Sequence, residues 1–182
     1  MRAYSVWGVV LFLLVIARTD GTSAEEASCK GGQSSSFLLG GEVKNPKTFN
    51  LQELSSLPNQ AVIQDAYFGG GGVEQGEFTG VLLWDLINSA EVITNPKIKH
   101  DLLRKYVLVT SSDCYQQLFS LGELDPSVGG SHQVAVAYKK NGQLLVTDGF
   151  ARLVVPGDKA GARRVHNIIR IEVLGPKDQS VR

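Results

Sequence analysis

The fold of this chain is decided by three stretches near its C-terminus: NGQLL at residues 141–145, GFARLVVPG at residues 149–157, and GARRVHNIIRIEV at residues 161–173. An Asn-Gly pair is a strong signal for a tight turn between two strands. The apolar run of the second stretch predicts a strand that stops at the Pro-Gly bend, and the alternating end of the third predicts a closing strand. The loop between them holds four basic side chains: Lys159, Arg163, Arg164 and His166. A β-framework with one cationic loop beside a Pro-Gly bend is suited to an anionic ligand.

The N-terminus has the pattern of an export signal. Arg2 precedes an apolar run at residues 8–17, which is shorter than the roughly 20 residues that a membrane-spanning helix needs. We expect residues 1–24 to be a signal peptide cleaved after Ala24, with Ala17 as the alternative site. The mature chain is then expected to be periplasmic or secreted, without stable membrane insertion after cleavage. An uncleaved membrane anchor is the alternative. Residues 25–36 are interpreted as a flexible leader, residues 37–175 as one domain, and residues 176–182 as a C-terminal tail.

The overall charge gives the chain no general attraction to nucleic acid or to a membrane surface, because 18 basic residues balance 18 acidic ones. Basic side chains gather only between Lys159 and Arg170, where an ordinary solvated loop remains the alternative to a ligand site. The three histidines, His100, His132 and His166, have no spacing that suggests a shared metal.

The two cysteines, Cys29 and Cys114, suggest a disulfide bond. An even number of cysteines in an exported chain is typical of disulfide pairing. The sequence alone does not show that their side chains meet, so a free Cys114 stays an open alternative.

Short strands broken by short helices, without regular alternation, predict a mixed α+β fold. Strands are predicted at residues 37–43, 61–68, 106–110, 116–120 and 133–139. A short helix at 52–56 has Asn50 as its cap and Glu53 as the capping-box partner. Three further helices are predicted. The segment at 78–87 leads into the first, and the other two lie at 95–104 and 121–124. Four glycines at 69–72 predict either a plain hairpin connection or a loop that closes on a ligand.

Five sequence motifs occur in the order seen in the sulfite oxidase family. They are G-x-V-x-N-P with a following L-x-x-L (41–54), F-T-G-V-x-L-x-D-L (78–86), S-S-D-x-Y (111–115), A-Y-x-x-N-G-x-x-L (from 137), and R-L-V-V-P-G (152–157). No single motif is specific, but together they span nearly all of the mature chain. The chain therefore resembles the molybdopterin-binding domain of that family, which implies a mixed β-sheet, barrel-like fold with short helices.

The resemblance also implies a cofactor site in the closing segment, where basic residues of the family contact the phosphate of a molybdopterin cofactor. Gly161 matches a family glycine, Arg163 the first basic position and His166 a second one. Arg152 and Lys159 complete the expected cofactor-binding set. Guanidinium groups and backbone amides at a glycine bend form charge-assisted hydrogen bonds with phosphate.

The chain departs from the family at the molybdenum ligand, which is a cysteine thiolate at the end of the strand before the F-T-G-V motif. Alignment on that strand puts Asp65 at the ligand position, and Cys114 lies where the family usually has glycine. The first hypothesis is a divergent or non-catalytic member that binds an anionic, pterin-type ligand. The second is an active molybdenum cofactor-dependent oxidoreductase that uses Cys114 or Asp65 as ligand, with a redox partner protein. The third is a structural, extracytoplasmic interaction module.

Overall fold

Two sheets of short strands form the framework of the protein, for which a computed structural model describes residues 29–129 and 133–176. The first sheet has the order β2-β1-β10-β5-β6, and the second has the order β3-β4-β7-β8, with β9 also paired to β7. The strands are β1 (Ser36–Gly41), β2 (Lys47–Asn50), β3 (Gln60–Gly69), β4 (Gly72–Leu82), β5 (Tyr106–Ser111), β6 (Gln116–Ser120), β7 (Ala135–Lys140), β8 (Gln143–Leu144), β9 (Arg152–Val154) and β10 (Ile168–Leu174). The signal peptide predicted at residues 1–24, His132 and the tail from residue 177 lie outside the described residues.

The pairing makes the first sheet mixed and the second antiparallel. β1 pairs in parallel with β10, whereas the other paired strands of both sheets run antiparallel. The predicted α+β class with a mixed sheet and short helices is therefore confirmed.

Three short α-helices connect the strands: α1 (Leu51–Ser55), α2 (Leu83–Ser89) and α3 (Leu121–Leu124). The predicted capping box of α1 is present, because Asn50 accepts from the Glu53 amide and the Glu53 carboxylate accepts from the Asn50 amide. Ser120 and Glu123 form a second capping box at the start of α3. Among the described residues, no helix is long and apolar enough to cross a membrane.

The larger of two hydrophobic clusters among the described residues joins the two sheets. Alternate residues of β1, β5 and β10 point into it, as the two-residue period of a strand requires. Val136 of β7 and Leu153 of β9 come from the second sheet and belong to the same cluster. The core side chains of the first sheet are Phe37, Leu39, Val107, Val109, Ile171 and Val173, all at most 1% exposed.

One helix was predicted to start too early, and another helix prediction was wrong. Phe78 to Leu82 continue strand β4 and pair with β3 and β7, and the helix begins only at Leu83. The backbones of β4 and β7 approach closely at Gly80, where a Cβ atom would lie 2.2 Å from the carbonyl oxygen of Val136. Residues 95–104 form turns followed by a 3₁₀ helix at Asp101–Arg104, because the Asp101 carboxylate accepts from the Asn95 amide and closes a short loop.

The glycine run at residues 69–72 makes a plain hairpin connection. Gly69 and Gly72 are paired at the ends of β3 and β4, so only two glycines form the turn. The ten residues of β3 are paired with β4 without a register shift.

The described part of the leader contacts the body of the domain. Cys29 is disulfide-bonded to Cys114, which confirms the predicted bond. The Gly31 amide donates to the Ser112 carbonyl at 2.8 Å, and the Phe150 amide donates to the Ser34 carbonyl at 3.1 Å. These contacts bring the leader to the loops that precede β6 and β9.

Candidate functional site

The basic loop between β9 and β10 packs against the end of strand β3. The Phe68 amide donates to the Lys159 carbonyl at 2.8 Å, and Phe68 forms a parallel bridge with Ala160. At Gly161 a Cβ atom would lie 2.8 Å from the ring of Tyr67. Glycine at this position therefore allows the loop backbone to lie directly on the aromatic ring.

Arg164 of this loop forms a buried ion pair with Asp65 of β3. Two parallel hydrogen bonds of 2.8 Å join the guanidinium to the two carboxylate oxygens. Both side chains are at most 1% exposed. Arg164 also donates to the Val155 carbonyl at 2.7 Å and lies 3.9 Å from the centre of the Tyr67 ring. Asp65, one of the two predicted metal ligands, thus has both of its oxygens bound to an arginine.

Arg152, at the start of β9, is fully buried within a second polar cluster. Its guanidinium donates to Asp148 at 2.7 Å, to the Tyr67 hydroxyl at 2.6 Å and to Glu74 at 3.2 Å. The Tyr67 hydroxyl in turn donates to Glu74, which also accepts from Lys140 at 2.8 Å. The Arg152 Nε has no hydrogen-bond partner among the described residues. Arg152 therefore joins β3, β4 and the loop before β9, a structural role that fits its burial.

The pKa values in this cluster follow from its charges. Burial alone would raise the pKa of Glu74, but hydrogen bonds from Lys140 and Tyr67 lower it to about 2. The hydrogen bond from His166, with the nearby charge of Arg152, holds the pKa of Asp148 well below its usual range. Burial and the hydrogen bond to Glu74 raise the pKa of Tyr67. The carboxylates are thus held ionised and the phenol neutral.

His166 and Arg163, the two cations matched to the family, have different partners. His166 Nδ1 lies 3.1 Å from Asp148, so Asp148 connects His166 to Arg152. Arg163 makes two hydrogen bonds of 2.8 Å to Asp158 and one of 3.0 Å to Glu123. The side chains of His166 and Arg163 are 41% and 34% exposed.

The structure therefore divides the predicted cofactor residues into two sets. Gly161, Arg152 and His166 are connected through Tyr67 and Asp148, whereas Arg163 points toward Asp158 and Glu123. Lys159 is exposed, and only its backbone carbonyl is fixed against β3. With Lys159, Arg163 and His166, the loop presents three basic side chains that reach solvent.

Sequence reasoning missed the acidic and aromatic partners of these cations. Tyr67, Glu74 and Asp148 lie as far as 85 residues from Arg152 along the chain. One signal was available in β3, where alternation puts Asp65 and Tyr67 on the same face as the core residue Ile63. A carboxylate on a buried strand face is expected to have a cationic partner.

Cys114, the other predicted metal ligand, is not available as a thiolate, because its sulfur is bonded to Cys29. The sequence contains only these two cysteines, and neither is free. A coordinating thiol must be deprotonated and unbonded. Within residues 29–129 and 133–176, no group of three or more His, Cys, Asp or Glu side chains is placed to hold a metal ion. The residues present do not fit a molybdenum centre with a protein thiolate ligand.

Four basic residues in and beside the predicted site each pair with a carboxylate of this chain: Arg152, Arg163, Arg164 and His166. Arg163 holds Asp158 through two parallel hydrogen bonds, and Arg163, Asp158 and Glu123 are all half-buried. An anion that binds Arg163 must compete with these two carboxylates. Arg152 and Arg164, which are buried and paired, instead hold the loop in place.

Comparison with known proteins agrees with this fold. A family model described as the oxidoreductase molybdopterin binding domain matches residues 32–181. The crystal structure of the sulfane dehydrogenase SoxCD from Paracoccus pantotrophus superposes with a TM-score of 0.62 at 21% sequence identity. The match covers 80% of this chain and 39% of that chain. No curated protein sequence matched.

Proposed function

The chain belongs to the oxidoreductase molybdopterin-binding domain family, and we propose that it is an exported, non-catalytic member that binds an anionic, pterin-type ligand. The observation that carries the proposal is the disulfide bond between Cys29 and Cys114, which uses both cysteines of the chain. Without a free thiolate, the oxo-transfer chemistry of a molybdenum–cysteine centre has no protein ligand here. The same disulfide supports export, because such bonds persist in oxidising compartments.

The proposed ligand contacts are at the solvent side of the basic loop. Arg163 and His166 supply hydrogen-bond donors for a phosphate, the Gly161 bend supplies backbone amides, and exposed Lys159 adds charge. Arg152 keeps His166 oriented through their shared partner Asp148. In this proposal Asp65 and Arg164 are structural residues and not ligands.

An active molybdenum oxidoreductase is the second candidate, and it needs a change in the structure. Either the disulfide must be reduced to free Cys114, or Asp65 must leave Arg164 while both remain buried. Removing one partner from a buried ion pair costs about 3–5 kcal/mol. The redox partner protein that such an enzyme requires belongs to this candidate only.

A structural interaction module is the third candidate. One observation favours it: Arg152, Arg163, Arg164 and His166 each already have a carboxylate partner within the chain. A domain whose cations are neutralised internally needs no anionic ligand to be stable.

Metal analysis and ligand titration separate the three candidates. Protein purified from the compartment in which it matures should contain no stoichiometric molybdenum and should bind a phosphate-bearing pterin. Stoichiometric molybdenum would overturn the non-catalytic proposal. Absence of both molybdenum and pterin binding would leave the interaction module.

The Arg163→Ala variant tests the proposed contact. We expect it to weaken pterin binding by about 1.5–3 kcal/mol, the range for hydrogen bonds to charged groups. Lys99→Ala is the matched control, because it removes an exposed cation that lies outside the basic loop. Isothermal titration should show that Arg163→Ala binds the pterin more weakly than Lys99→Ala does. This difference in affinity should become smaller at high salt but should not vanish, since a partly enclosed site is screened less than a surface charge. Equal affinities for both variants would contradict the role of Arg163.

A further inference from the structure

Strand β3 lies at the edge of the second sheet and is paired with β4 along one side only. The Phe68 amide donates to the loop carbonyl of Lys159, so the backbone of Phe68 points away from β4. The backbone N–H and C=O groups of successive residues in a strand point to opposite sides. Those of Val62, Gln64 and Ala66 therefore also point away from β4. Among the described residues, no backbone hydrogen bond reaches these three positions from the open side. They form a free edge of three residues.

This free edge lacks three of the features by which proteins usually block strand pairing. Edge strands are commonly protected by lysine, proline or a β-bulge. β3 has neither lysine nor proline, and its register with β4 is unbroken. By contrast, edge strand β2 begins with Lys47 and is only four residues long. A strand edge without these features is a template for a further strand.

The exposed face beside the edge is apolar at both ends. Val62 is 62% exposed and Phe68 is 66% exposed, and the cross-strand partner of Phe68, Val73, is 63% exposed. A strand added to the edge would cover part of this surface.

We propose that β3 pairs antiparallel with β3 of a second copy of this chain, about a two-fold axis at Gln64. Gln64 is the centre of the free edge, so the axis places it opposite Gln64 of the second copy. Val62 of each copy then lies opposite Ala66 of the other. A symmetric pair brings identical side chains together, and it is favourable only if the centre carries no charge. The exposed face of β3 meets this condition, because Val62, Gln64, Ala66 and Phe68 are all uncharged. The single charged residue of the strand, Asp65, points to the other face and is paired with Arg164.

Cysteine cross-linking tests the register of this pairing. Residues directly opposite in a hydrogen-bonded antiparallel pair have Cα atoms about 5.5 Å apart, which suits a disulfide. Gln64→Cys should therefore form a covalent dimer on mild oxidation. Val62→Cys is the matched control, because its opposite residue is Ala66 of the second copy and not itself. Equal cross-linking of the two variants would overturn the proposed axis.

Sedimentation of the full mature chain tests the dimer itself. Wild-type protein should show a concentration-dependent monomer–dimer equilibrium. Gln64→Lys places two like charges against each other at the axis and should raise the dissociation constant at least about tenfold. Gln75→Lys puts the same charge on the same face of the neighbouring strand β4 and should change the dissociation constant far less. The proposal would be overturned if the chain stayed monomeric up to millimolar concentration. It would also be overturned if Gln64→Lys left the dissociation constant of the dimer unchanged.

Discussion

Glu74 is the residue on which the polar cluster under the basic loop converges. Its carboxylate accepts hydrogen bonds from Tyr67, Lys140 and Arg152, which come from three different strands. Protonation weakens these three hydrogen bonds and removal of the carboxylate abolishes them, although Arg152 keeps its bonds to Asp148 and Tyr67. The ionisation of Glu74 therefore contributes to the contact between β3, β4, β7 and β9.

The low pKa of Glu74 makes stability depend on pH. Its folded-state pKa of about 2 lies below the ordinary value of 4.5, so the carboxylate stabilises the fold above about pH 4.5. That contribution is lost as the pH falls from there toward 2. Glu74→Gln should lower the melting temperature at neutral pH, and its difference from wild type should shrink in acid. Glu77→Gln, on the same strand but exposed, is the control. A difference in melting temperature between wild type and Glu74→Gln that stays constant between pH 7 and pH 2 would contradict the low pKa of Glu74.

At the residue scale the sequence predicted which side chains matter better than it predicted what they contact. Arg163 and His166 were identified from their positions in a basic loop. Their partners Glu123 and Asp148 lie 40 and 18 residues earlier, and only the fold decides that they meet. Asp65 was interpreted as a possible metal ligand because alignment with the family strand put it at the position of the ligand cysteine. Its actual partner, Arg164, is 99 residues away.

Strands β4 and β7 are the elements that join the second sheet to the core. Val136 of β7 is fully buried and pairs with Val81 of β4, and Gly80 allows the close approach of the two backbones. The free energy of unfolding should therefore be sensitive to any polar change on the inner face of β7.

Val136→Asp tests this packing. A buried, unpaired carboxylate should lower the free energy of unfolding by about 3–5 kcal/mol. Val109→Asp, in β5 of the first sheet, should act similarly, because Val109 is also fully buried. Val146→Asp makes the same change at a side chain that is 73% exposed and should have little effect. Chemical denaturation of the three variants gives the comparison, and near-wild-type midpoints at both buried positions would refute the strand assignment.

At the element scale, alternation and capping residues predicted several elements correctly, whereas the point at which strand β4 ends was predicted wrongly. β6 and α3 were predicted with their observed bounds, since each is marked by a turn or a capping residue. The segment from Phe78 to Ile87 was assigned to a helix because leucines recur there at helical spacing. Pairing with two neighbouring strands extends β4 to Leu82, and a local pattern does not contain that information.

The whole molecule is held by one covalent link between distant parts of the chain. Cys29 and Cys114 are separated by 85 residues, so their bond restricts a large loop of the unfolded chain. On the chain-entropy model such a link stabilises the fold by about 4 kcal/mol. The Cys29→Ser/Cys114→Ser double variant should lower the denaturation midpoint accordingly. Mass spectrometry without reductant should show no free thiol, and detection of two free thiols would contradict the bond.

At the scale of the molecule, the ordered motifs predicted the family and the fold class, whereas the strand order came only from the structure. No local signal indicates that β10 lies between β1 and β5. That placement depends on which apolar faces fit together once all strands are present.

The position of β10 has a consequence for how the chain reaches its native state. The first strand, β1, has its parallel partner in the last strand, and β10 also separates β1 from β5. During synthesis, β1 and β2 must wait for residues 168–174 before the first sheet can close. Such distant pairings slow folding, because a long loop must close before the contacts form. The first sheet therefore cannot close until residues 168–174 have left the ribosome.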